Sequence, residues 1–292
     1  MKSILLLDDE RAKLLRSQLA DDAVHRSLYD PDNDPLKSWD KLEKLYTGGE
    51  DPMAPIIGAM YDEGWPAEIA WSIPLFVKHK TLKGEPLTPE NLESDDLKHK
   101  LPRGPRGKKI GRGGKKIEMG EAVVENAKKI TKNFRRVEEI FMEESASKIL
   151  ENLKELDQIG DKKALMLVKD FAIAAVPKYR KKREEWGERW GWLDYFADCW
   201  QNKFPGKELR DLDKIDIAPD VHCKRVVGRI IGKTNDEATP KELREFGREV
   251  YGEFPAWIDT PLWFIGREYC YKENPRCKEC PLKETCSNLT RK

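Results

Sequence analysis

Four of the six cysteines, Cys270, Cys277, Cys280 and Cys286, share one short segment with the spacing C-x6-C-x2-C-x5-C. Crowding of this kind marks a ligand set, because one compact loop can wrap four thiolates around a single centre. Zinc and an iron–sulfur cluster both accept four thiolates. Structural zinc sites usually combine two Cys/His pairs from separate turns, whereas here a single CxxC is flanked by longer arms, which favours an iron–sulfur cluster over zinc. A disulfide framework suits short secreted chains, but this sequence has 292 residues, 39% of them hydrophobic, enough to build a core without staples. Cys199 and Cys223 lie apart from the group and read as small core residues.

Elsewhere the apolar residues recur at helical spacing. Leu14, Leu15 and Leu19 make an early run, followed by a helix, tight turn and helix from Ala54 to Phe76. Helical periodicity returns at Ala122 to Ile130, at Ile149 to Leu156 and at Ala164 to Val176, with Ile159-Gly160-Asp161 between the last two. Strand-like alternation is weak and no internal repeat is found, so the expected class is all-α. No window approaches eighteen apolar residues, and Ile4 to Leu7 runs directly into Asp8, Asp9 and Glu10. A soluble, cytoplasmic chain without membrane contact is expected, nucleoid-associated if the source is prokaryotic. Lys plus Arg (54) nearly cancels Asp plus Glu (53), so any surface for a polyanion must be local. Residues 98–116 supply one candidate: nine basic and no acidic residues threaded by glycine and proline, read as a flexible cationic loop in which Lys108, Lys109 and Arg112 would meet phosphates. A run of aromatics, Trp186, Trp190, Trp192, Phe196 and Trp200, has helical spacing and reads as core.

The cysteine spacing resembles the cluster loop of the endonuclease III family of DNA glycosylases, and WFIGREYC, Trp263 to Cys270, resembles that family's approach to its first ligand. LDQIGDKKALM, Leu156 to Met166, is similar to the hairpin and second helix of its helix-hairpin-helix, and PDVHCKRVVGR, Pro219 to Arg229, to the segment bearing its catalytic aspartate. APIIGAMYDEGWPAEIAW, Ala54 to Trp71, looks like the early helix pair that frames the base pocket. The resemblance covers about half the chain and implies a two-lobed, all-helical glycosylase fold. One lobe would span 52–218, with the hairpin at 156–166, the basic loop at 98–116 and an insertion at about 177–218. The other would join 1–51 to 219–292 and carry the cluster loop at 270–286, with DNA across the junction. Three departures stand out: Gln158 occupies the first of two usual hairpin glycines and leaves only Gly160, Glu63 stands where many relatives have glutamine, and some forty extra residues separate the hairpin from Asp220.

What the resemblance implies is base-excision repair of double-stranded DNA holding a damaged or mismatched base, by a monomer. The base would be flipped out of the stack. Lys162 would then attack C1′ to form a Schiff base, with Lys163 as a neighbouring cation, while Asp220 helps deprotonate it and stabilises positive charge on the sugar. Gln158, Gly160, Lys163 and Glu63 would contact DNA, and Cys270, Cys277, Cys280 and Cys286 would hold the cluster in a structural role. Two alternatives are kept: a monofunctional mismatch glycosylase using Asp220 and water, and a non-catalytic DNA-binding or damage-sensing protein. Asp220 also reads as the N-cap of the helix that follows it, which would fix its carboxylate.

Overall fold

The computed structural model describes residues 7–20, 51–62, 65, 67–104, 109–110, 116–185, 191–233 and 237–287. Glu63, Lys108, Arg112, Trp186 and Trp190 lie outside these residues. The chain divides into two compact units: one comprises Met1–Asp34, Glu185–Gly187 and Asp211–Lys292, the other Pro35–Glu184 and Glu188–Arg210. Among the described residues the secondary structure is helical except for two strands of two residues each, which makes the chain all-α.

The first unit opens with α1 (Asp9–Ala20). The second then contributes α2 (Ala54–Tyr61), α3 (Ala67–Phe76), the short α4 (Pro89–Leu92), α5 (Met119–Asn133), α6 (Ala146–Lys154), α7 (Asp161–Ala175), α8 (Pro177–Glu185) and α9 (Gly191–Lys203). The apolar stripe of α5, including Val123, Ala127 and Ile130, is fully buried, as its spacing requires. Ser145 caps α6 through the Lys148 N–H, and α7 starts at the extended Gly160. The insertion therefore folds largely as α8 and α9, with α9 packed along α7. Phe196 stacks on Phe141 with centroids 4.8 Å apart, Phe141 meets Phe171 at 5.1 Å, and the buried Trp200 donates its indole N–H to Glu143 O. For Phe196 and Trp200 the core reading holds.

The basic segment differs from the strandless loop expected. Strands β1 (Lys109–Ile110) and β2 (Lys116–Ile117) form an antiparallel ladder pairing Lys109 with Ile117 and Ile110 with Lys116. Ile117 is buried, which fixes β2 to the core, and β1 then satisfies its exposed backbone groups. At its start, Lys98 is ion-paired with Asp95 at 2.7 Å and Glu125 at 2.8 Å.

The first unit is completed by α10 (Val221–Ile230), α11 (Pro240–Tyr251) and α12 (Asp259–Glu268). Thr239 and Glu242 form a reciprocal capping box at the start of α11. Close approach of α10 and α12 needs Gly266, because a Cβ there would stand 2.6 Å from His222 Cβ and 3.0 Å from His222 O. Beyond α12 the chain runs as turns from Cys270 to Cys286.

Candidate functional site

The hairpin between α6 and α7 is built on one residue in the left-handed region. Gln158 has φ +65°, a conformation that glycine adopts without strain, so holding Gln158 there costs about 1 kcal/mol. The buried Asn126 of α5 offsets that cost by bonding both backbone groups of Asp157, accepting its N–H at 2.7 Å and donating to its carbonyl at 2.9 Å. Lys129 pairs with the Asp157 carboxylate at 2.6 Å. Gly160 is exposed and extended, and a Cβ there would meet nothing.

Lys162 and Lys163 open the first turn of α7 and face different surroundings. Lys163 is buried, and its ammonium donates to Met60 O at 2.8 Å and Gln158 O at 3.0 Å, tying the end of α2 to the hairpin. A lysine held this way serves the turn, and reaching a phosphate would require breaking both bonds. Lys162 is part-exposed and pairs with Asp62, the residue that ends α2, at 3.3 Å. The charged group closest to Lys162 in these contacts is thus a carboxylate rather than the cation expected of Lys163.

Asp220 is the N-cap of α10, as its sequence context anticipates. It is half-buried, with Oδ1 accepting from the His222 N–H at 2.8 Å, and its own N–H donates to Ala218 O at 2.7 Å. The His222 ring meets Trp263 edge-on, 6.2 Å between centroids, and lies 3.0 Å from the Arg225 guanidinium.

The four cysteines stand in one loop, none in a disulfide and each half-buried. Burial pushes the Cys270 thiol up while Arg229 opposes the change, and burial pushes Cys280 up to about 11. The other three thiols lie within electrostatic reach of Cys280. Arg225 and Arg229, one turn apart on α10, seat the loop's start. Arg229 donates to Cys270 Sγ at 3.3 Å and to Tyr271 O at 2.8 Å, and Arg225 donates to Cys270 O at 2.5 Å and Gly266 O at 2.8 Å. At the loop's other end, Arg11 of α1 donates to Thr285 O at 2.9 Å and also to Ile230 O, while Thr285 Oγ1 bonds Gln18. Among the described residues no group of three or more His, Cys, Asp or Glu side chains stands close enough to hold a metal ion as arranged, so a bound group would have to draw the thiolates together. The donor set nonetheless fits a cluster: four thiols in one loop, with two guanidinium groups beside the first to offset the negative charge of thiolate ligation.

Lys109 lies in β1, and the side chains of Lys178, Arg180, Lys181, Lys182 and Arg183 belong to α8. Arg180 pairs with Asp198 at 2.8 Å, and Arg183 is buried against Asp194. Sequence reasoning missed Asp62, Asn126, Arg229 and Asp259, whose partners are distant along the chain and leave no local pattern. No protein-family model matches the chain, and no curated protein matches it.

Proposed function

We propose that the chain is a DNA glycosylase of the helix-hairpin-helix kind with associated lyase activity, acting on duplex DNA that holds a damaged or mismatched base. The observation that carries this proposal is the hairpin itself. A non-glycine residue is held at φ +65° by Asn126 and Lys163, which is an investment in one turn geometry that simple helix packing does not require. Backbone amides at such a turn and at the start of α7 suit a DNA phosphate. In the reaction, the target nucleotide leaves the stack, the Lys162 amine attacks C1′, the bond from C1′ to the base breaks, and the base departs. The Asp220 carboxylate, held by the His222 N–H, accepts a proton and stabilises charge on the sugar. Cys270, Cys277, Cys280 and Cys286 would hold a [4Fe–4S] cluster, whose contribution when bound is to tie the loop together through four iron–thiolate bonds.

One observation favours the water-based, monofunctional alternative. The Lys162 ammonium is bonded to Asp62 and must give up that bond as well as a proton before it can attack. Both readings are tested on a panel of duplexes with single lesions. Borohydride reduction during turnover is expected to trap a covalent adduct that Lys162→Ala abolishes, and Asp220→Asn is expected to retain DNA binding while losing base release by orders of magnitude. Base release without trapping selects the monofunctional mechanism. Binding without any release removes the enzyme reading and leaves a damage-sensing protein.

A further inference from the structure

Asp259 is buried at 6% exposure at the first position of α12, and the proposed reaction makes no use of it. Its Oδ1 accepts from the Ala218 N–H at 3.0 Å, and the Cys223 thiol lies 3.8 Å from the same oxygen. The Ala218 carbonyl in turn accepts from the Asp220 N–H at 2.7 Å, closing a tight turn. Two hydrogen bonds thus run from the Asp259 carboxylate through one residue to the backbone of Asp220. Three residues earlier, Ile215 O accepts from the Ala256 N–H at 3.0 Å. The segment before Asp220 is stitched at Ile215 and Ala218 to the chain entering α12, at Ala256 and Asp259.

That stitching matters because residues 215–220 belong to no helix or strand, so nothing regular fixes the backbone that delivers Asp220. On its other side Asp220 is held to α10 by the capping bond from the His222 N–H to its carboxylate and by the Lys224 N–H on its carbonyl at 2.9 Å. A cap sets where the carboxylate sits relative to α10, and the path into the cap is set by the burial of Ile215 and Ile217, by Asp216 pairing with Arg248 at 3.2 Å and, nearest to Asp220, by the Ala218 N–H on Asp259. A buried carboxylate is a costly anchor, and a backbone carbonyl would serve for packing alone.

We propose that Asp259 is the positioning residue for Asp220, a role that rests on the catalytic reading of Asp220 given above. It touches no substrate. It acts by accepting from Ala218, so a neutral acceptor of the same shape should replace it and a methyl group should not.

The test is single-turnover base release from the lesion duplex that the wild-type protein processes best, alongside duplex affinity and iron content. Asp259→Asn keeps an oxygen facing Ala218 and is expected to stay within about threefold of wild type. Asp259→Ala is expected to lose about 100-fold in the release step, the scale of a 1 Å misplacement of a reacting group, with affinity unchanged. Asp220→Asn combined with Asp259→Ala should be no slower than Asp220→Asn alone, because the positioned group is already gone. Should Asp259→Ala not fold, hydrogen exchange on the wild type and Asp259→Asn must still find the Ala218 amide protected in both. Release at the wild-type rate in Asp259→Ala, a full additional loss in the double variant, or a rapidly exchanging Ala218 amide each overturns the inference and leaves the glycosylase reading intact. A wild-type protein that releases no base, or an Asp220→Asn variant as active as wild type, overturns that reading and this inference with it.

Discussion

Two adjacent lysines at the start of α7 show how little a residue type says about a residue's task. Lys163 is 5% exposed and donates to the Met60 and Gln158 carbonyls, whereas the Lys162 side chain is 36% exposed and meets the Asp62 carboxylate. Replacing Lys163 with methionine preserves length but strands Met60 O and Gln158 O inside the protein. Each unmet acceptor costs about 1–3 kcal/mol, so a destabilisation of roughly 2–6 kcal/mol is expected. Lys162→Met removes the part-exposed pair with Asp62, and that loss should cost less than about 1 kcal/mol. Urea unfolding of the two variants measures the contrast, and equal midpoints would show that Lys163 does not hold the hairpin. In sequence the pair reads KK, and only the end of α2 folding over the second lysine separates their roles.

Between elements, the same logic acts through close approach and through charge. Gly266 lets α12 lie against His222 with no room for a methyl group. Gly266→Ala must therefore push α10 and α12 apart, and overpacking of this kind costs about 1–3 kcal/mol, readable as a lowered melting temperature. Because Asp220 caps α10, the same variant should slow base release more than it weakens DNA binding. In the other unit, hydrogen bonds from Lys128 and then Lys98 hold the exposed Asp95 carboxyl at about 2, below its ordinary 3.8. A folded value below the unfolded one means the stabilisation is present above pH 3.8 and is lost as pH falls through about 2. The Asp95 carboxyl resonance should titrate with a midpoint near 2, and Asp95→Asn should flatten the acid limb of the stability profile. Salt should weaken the effect, since the group faces solvent. Helix existence was legible here because α5 and α10 carry apolar residues at a sustained period. The ladder between β1 and β2 was not, since two residues per strand are too few to show an alternation.

For the whole molecule, the loop from Cys270 to Cys286 sets the most direct measurement. Protein purified without oxygen is expected to be brown, with about four irons per chain, because one cubane takes four thiolates. Cys277→Ser should lower the iron content, while Cys199→Ser, in the other unit, should leave it unchanged. One zinc per chain without colour would assign the same four cysteines to a single ion. With a net charge of only +1, the proposed DNA binding would rest on local surfaces rather than the overall field, and the affinity is expected to fall with salt in proportion to the few phosphates contacted.

The sequence by itself determined the helical class, the cysteine loop and the capping position of Asp220, because each is written in neighbouring residues: apolar period, thiol spacing, and an acidic residue just before an apolar helix. It also located the turn between α6 and α7, where Gln158 takes the left-handed conformation that glycine adopts most readily. Only the tertiary structure decided what holds these pieces. Asn126 on Asp157, Lys163 on Met60, Asp62 on Lys162, Arg229 on Cys270 and Asp259 on Ala218 join residues between 31 and 103 positions apart. Such bonds leave no periodic trace, because a buried polar group is satisfied by whichever backbone atom the packing of helices brings to it.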